Sequence, residues 1–311
     1  MALKSKMRTL VAISLTIALS ACWAGLLFGE PSPLLELGSR ISIDTRRTGS
    51  QSISSKDVLA SVSRITNPTT ASVTERVRAA SELGQSLAQD EIGRLFQFLK
   101  SKPDPGETNL RALQLIKNEV LNNLRKQEIA PVGLTDTLID IYRNPEQDPV
   151  LRDYAIQHLV YWYETPVSEQ QTRIRTLLIE AAQTESSIAG TALLGMHRLS
   201  ATDSGFNGEQ INRLALQHVL SGRSSSCTRA TALQVCAERG VAEALPTIES
   251  LAQDATDLTL RLSAVAALGR LGTAEHINSL KQLDCENNEP LRLAVLSALQ
   301  RLIQKQQVFY P

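Results

Sequence analysis

Aromatic residues make up only 4% of this 311-residue chain. So few large rings suit closely packed helices better than a β-sandwich. Cysteine is scarce too: Cys22, Cys227, Cys236 and Cys285 include no Cys-x-x-Cys pair and no Cys/His cluster, so no metal site is expected. Cys227 and Cys236 fall nine apart in one predicted helix, about 13 Å along its axis, beyond the reach of a disulfide. Charge of one sign is also missing. The 32 basic and 32 acidic residues cancel, and no basic run follows residue 10, which argues against a nucleic-acid partner. The chain has no Gly-x-Ser-x-Gly, no Gly-rich phosphate loop and no paired-carboxylate motif, and His158, His197, His218 and His276 are isolated from one another. No catalytic, cofactor-binding or metal-ligating residue is nominated, and the chain reads as a non-enzyme.

What the sequence does have is a pattern stated twice. Asp257-Leu-Thr-Leu-Arg261-Leu-Ser-Ala264 leads to Leu268, and Asn288-Glu-Pro-Leu-Arg292-Leu-Ala-Val295 leads to Leu299, a period of 31 residues. A capping side chain four before an Arg, an apolar residue just before it, a small or branched one three after and Leu seven after is helical spacing. Gly272 is expected to close the first helix in a left-handed conformation, and Thr273 to cap a second, shorter helix from Glu275 to Leu283. The unit is therefore two helices.

The same unit recurs upstream with more noise. A lone helix after Ser54 ends at Asn67-Pro68; Ser72 with Glu75 opens the next unit, and Asp90 is expected to cap its second helix to Lys100. The Glu107–Asn144 unit is the weakest match, although Leu110, Leu113, Ile116, Val120 and Leu124 keep a helical period. Asp148-Pro149 opens a clear one, and Ser168 with Gln171 its partner helix. Positions 76, 111, 152, 189, 229, 261 and 292 carry the Arg, except that 189 is Ala; their uneven spacing puts insertions in loops. Three consecutive rings, Tyr161-Trp162-Tyr163, cannot all face inward, so at least one is expected near the surface.

The amino terminus reads as an address. Lys4, Lys6 and Arg8 precede an apolar run from Leu10 to Gly29, giving residues 1–29 as a signal peptide or membrane anchor. Leu19-Ser20-Ala21-Cys22 resembles the bacterial lipobox, which would make Cys22 a lipidation site. An uncleaved anchor and ordinary cleavage remain open, because the apolar run continues past Cys22. All three place the rest of the chain outside the cytoplasm, in the periplasm or cell envelope, tethered to a membrane or secreted. Residues 30–55, rich in Ser, Thr, Arg and Gly, read as a flexible tether, and 56–311 as the helical array.

The array resembles HEAT-like repeats of the phycobilin-lyase type, whose pattern runs Asp, apolar-Arg, Ala, Leu, Gly and then Pro-x-Leu. The resemblance is close over 225–302, fair over 72–100 and 148–182, and loose elsewhere. It implies an all-α, right-handed solenoid of about six to seven two-helix repeats, with second helices lining a concave face that holds a protein partner. It also implies that each Arg pairs with an Asp of a neighbouring repeat, such as Asp148 or Asp257, as a register device. A HEAT-like metal hydroxylase would need adjacent His-Glu pairs; only the reversed Glu275-His276 is present. Asp136, Asp140, Arg173, Arg175, Asn212, Arg213 and Glu249 are the second-helix residues expected to meet the partner. The alternative is an enzyme or ligand carrier whose site is assembled from residues distant in sequence.

Overall fold

The computed structural model describes residues 55–67, 69, 71–102, 109–285 and 288–309; the predicted signal, with Cys22, and all of the predicted tether but Ser55, which opens the first helix, lie outside them. Fourteen α-helices and no strand occur among the described residues. Helix α1 (Ser55–Thr66) is followed by the pairs α2 (Val73–Ser81) and α3 (Gln89–Lys100), α4 (Leu110–Arg125) and α5 (Leu134–Arg143), and α6 (Pro149–Trp162) and α7 (Ser168–Ala182). Then come α8 (Ile188–Leu199) and α9 (Gly208–Leu220), α10 (Ser226–Arg239) and α11 (Leu245–Asp254), α12 (Leu258–Leu271) and α13 (His276–Lys281), and α14 (Glu289–Phe309). First helices pack on first helices along the chain, from α2 through α14. Second helices form their own row, contiguous from α1 through α7 and again from α9 to α11.

The caps follow the sequence at most helix starts. Ser72 and Glu75 form a reciprocal capping box, and Asp148, Asn207, Ser225 and Asp257 each accept from an amide of the first turn. Several expectations need correction. Asp90 does not cap α3; the helix begins at Gln89, and Glu91 reaches back to the Ala88 amide. Ser168 is already helical, with Val167 at the cap position. Gly272 is extended (φ −60°), so α12 ends without a left-handed residue, whereas Gly240 (φ 74°) does close α10 in that way. The ring of His276, not the Thr273 side chain, serves the start of α13 by accepting from the Thr273 amide at 3.1 Å. That helix has only six residues.

Stacking depends on small residues where first helices cross. A Cβ on Gly269 of α12 would lie 2.6 Å from Ala298 of α14, and one on Gly190 of α8 3.1 Å from the Thr228 backbone of α10. Leu268, Ala264 and Val265 are buried in the resulting core, as are Leu193, Met196, Leu233 and Cys236. Each helix pair alone exposes such a face, and stacking covers it.

Candidate interaction surface

The last carbonyls of a helix have no partner inside it, and their partial negative charge favours a cationic donor. The recurrent Arg meets that need, one helix pair at a time. Nε of Arg76 donates to the Ile65 carbonyl of α1 at 3.1 Å, Arg152 to Tyr142 of α5 at 2.8 Å, and Arg261 to Ala252 of α11 at 2.9 Å, while an amino group of Arg229 reaches Val219 of α9 at 3.3 Å. The expected pairing with Asp148 or Asp257 is therefore corrected: those carboxylates cap helix starts, and the Arg caps the preceding second helix.

Where the Arg is turned outward or missing, another residue does the same work. Arg111 is exposed, and the buried Lys117 of α4 donates instead to Leu99 (3.0 Å) and Ser101 (2.7 Å) at the end of α3. Its ammonium also sits 5.7 Å from the Phe98 ring centre. Burial lowers its pKa to about 8. At Ala189 no side chain can reach, and Nε2 of His218 donates to the Ala182 carbonyl at 2.7 Å while Nδ1 accepts from Ser224 at 2.9 Å. Sequence reading missed both substitutes, because Lys117 lies six residues out of register and His218 sits on a second helix.

The second-helix charges expected to meet a partner are largely engaged already. Asp136 pairs with Arg173 at 2.7 Å, and Asp140 with Lys100 at 2.9 Å. Arg143 and Glu180 extend this ladder at 3.3 Å. Asn212 accepts from Arg239, and Glu249 from Ser279. Arg175 lies 3.6 Å from Asp203, which also accepts from the Tyr163 hydroxyl and the Gly205 amide; these donors hold the Asp203 carboxyl below its usual pKa. Phe206 packs on Tyr163 with ring centres 5.4 Å apart, so the 200–207 loop is wedged beside the start of α9. Arg213 remains exposed.

The most exposed apolar side chains gather where second helices α5 and α7 begin. Ile129 and Val132, 85% and 77% exposed, flank Pro131 ahead of α5, and Val167, 70% exposed, caps α7. Of the three rings, Trp162 and Tyr163 are buried and Tyr161 is exposed, its ring 4.7 Å from the Arg125 guanidinium. Polar contacts fix these pieces together: the Trp162 indole donates to Thr135, and the Thr135 hydroxyl donates to Gln170, each at 3.1 Å. Leu110, expected on the α4 core face, is half exposed.

Beneath this rim Leu121, Arg125, Leu134, Leu138, His158 and Trp162 line a shallow niche with no room for a ligand. His158 bonds Asn118 at 3.0 Å through Nε2, while its buried Nδ1 has no hydrogen-bond partner. Burial, with the nearby Arg125 charge, lowers its pKa to about 3, so the ring is neutral and Nε2 is the donor. On the same helix burial raises Asp153 to about 6, against hydrogen bonds from Thr191 and Gln157. Among the described residues no three His, Cys, Asp or Glu side chains converge as metal ligands, and Cys236 and Cys285 are free thiols.

No curated protein matches the sequence. Among solved structures, human deoxyhypusine hydroxylase in complex with glycerol is 16% identical, with a TM-score of 0.32 over 80% of this chain and 96% of that one. An engineered protein is 15% identical, with a TM-score of 0.25 over 80% and 97%. A family model of HEAT repeats matches residues 214–300. With helices paired and stacked throughout the described residues, the chain is an all-α protein built of HEAT-like repeats.

Proposed function

We propose that this helical-repeat scaffold binds another protein, outside the cytoplasm and tethered by its amino terminus. The observation that carries the reading is the exposed apolar rim of Ile129, Val132 and Val167 at the start of two adjacent second helices, with Tyr161 at the end of the first helix α6. Side chains this exposed and this apolar gain most by meeting a partner's surface, and Tyr beside Arg is a common anchor at such interfaces. The binding face remains the second-helix side, as the resemblance implies. Its anchor shifts from the charges, which brace neighbouring repeats, to the apolar ends of the helices.

The test uses the full chain in its native envelope. Val132→Asp with Val167→Asp should keep the melting temperature and lose a crosslinked partner that wild type captures. Capture that survives the double substitution, or turnover of a small molecule that depends on His158 or Asp153, would favour the assembled-site enzyme. For the tether, mass spectrometry should find acyl chains on an amino-terminal Cys22, and Cys22→Ser should retain the precursor. An unmodified start elsewhere would leave ordinary cleavage or an uncleaved anchor.

A further inference from the structure

Helix α14 carries two stripes with the alternating three- and four-residue spacing of a coiled-coil seam. The inner one, Leu291, Val295, Ala298 and Leu302, is buried against the repeat before it. The outer one, Glu289, Leu293, Leu296, Gln300, Ile303 and Gln307, is exposed along its whole length, and no described helix covers it. The residues 31 positions earlier show what this face does within the chain. On α12, Leu262, Val265 and Gly269 form the same outer stripe, and Ala298 of α14 sits directly on Gly269. There the outer stripe of one first helix receives the inner stripe of the next.

On α14 the glycine position is Gln300, so a further repeat could not approach as closely as α14 approaches Gly269. A glutamine at the centre of an apolar seam suits a two-fold axis instead, because one amide both donates and accepts and two copies can satisfy each other. The flanking positions Pro290, Ser297, Leu299, Gln304 and Gln306 carry no charge, and the one cation beside them, Arg292, is paired with Glu289 at 2.6 Å. Apart from Glu289, whose charge Arg292 offsets, nothing along the seam repels a second copy of itself.

We infer that the outer face of α14 is a self-association interface, pairing two copies of this chain through parallel α14 helices with Gln300 opposite Gln300. The interface is isologous and closes as a dimer. It does not depend on the partner-binding rim.

Cysteine crosslinking of the full chain in its native membrane tests this. Leu296→Cys should form a reducible dimer at least about tenfold more than Glu209→Cys, an exposed control on α9, under the same oxidation. Adding Leu293→Glu should abolish it, and Gln300→Glu should weaken it by placing like charges together. A Leu296→Cys yield no higher than the control would overturn the inference, as would preferential crosslinking between Leu293→Cys and Ile303→Cys chains, which requires antiparallel helices. Because Leu296 is exposed within one chain, Leu296→Glu should lower the melting temperature only at concentrations where the chain dimerises and leave that of the dilute monomer unchanged. An equal drop at every concentration would mean that the chain covers this face itself, and would also overturn the inference.

Discussion

Residues 225–302 and residues 72–220 solve the same packing problem by different means. In the carboxy-terminal repeats Arg229 and Arg261 hold the carbonyls of the preceding second helix, with glycine and alanine at the crossing of α12 and α14, while Arg292 pairs with Glu289. The amino-terminal repeats reach the same carbonyls with Arg76, Lys117, Arg152 and His218, and they add the ion pairs Lys100–Asp140, Asp136–Arg173 and Arg143–Glu180 between second helices. What is shared is the position of a donor beside an unsatisfied helix end, not the residue that supplies it. The buried acidic and imidazole groups with displaced pKa values, Asp153 and His158, both fall in the irregular half.

The largest test of this contrast is Leu268→Ala, which empties a fully buried site in the regular half. It should cost about 2–5 kcal/mol. Circular dichroism should show the carboxy-terminal helices melting first, with little change in Trp162 fluorescence from the irregular half. A single transition shifted as a whole would show that the two regions unfold as one.

Asp153→Asn should act in the opposite direction. The folded pKa of about 6 lies above the unfolded value near 3.8, so the carboxyl favours the fold fully below about pH 4, and that contribution is lost as pH rises through 6. The variant should gain up to about 3 kcal/mol at pH 7 and nothing at pH 4. His158, with its folded pKa lowered to about 3, has the opposite slope: its contribution is present above about 6.5 and lost as pH falls toward 3. His158→Gln should flatten the acid limb. A pH profile unchanged in both variants would remove these groups from the account.

Lys117→Met and Arg261→Met compare the substitute donor with the recurrent one. Each leaves second-helix carbonyls without their donor and should cost about 1–3 kcal/mol in chemical denaturation. A much smaller loss for Lys117 would mean that only the recurrent Arg holds register. Smallest of all, Lys100→Glu breaks an exposed pair with Asp140 and should cost about 1 kcal/mol or less, mostly at low salt.

Paired helices were legible from the spacing around Arg261 and Arg292, because that period repeats with little noise. Most caps were legible too, since Ser72, Asp148, Ser225 and Asp257 satisfy amides only two or three residues ahead. Partners distant in sequence were not. Lys117 meets Leu99 across 18 residues and His218 meets Ala182 across 36, with no local signal at either end. For the same reason Asp136 and Asp140 read as free surface charge, because their cations stand on neighbouring repeats. Exposed Tyr161 was anticipated from the geometry of three consecutive rings, but Ile129, Val132 and Val167 sit in loops, where no period separates an exposed apolar side chain from a buried one.

We propose a division of labour in which polar contacts hold the repeats together and the apolar rim is left for a protein partner. Site-specific photocrosslinking in the native envelope tests it most directly, with the reactive side chain placed in turn at Val132, Val167, Arg213 and Leu115. The account predicts one adduct of the same mass from Val132 and Val167 and none from Leu115 on the first-helix side. Adducts from Leu115 alone, or no adduct from either rim position, would contradict it.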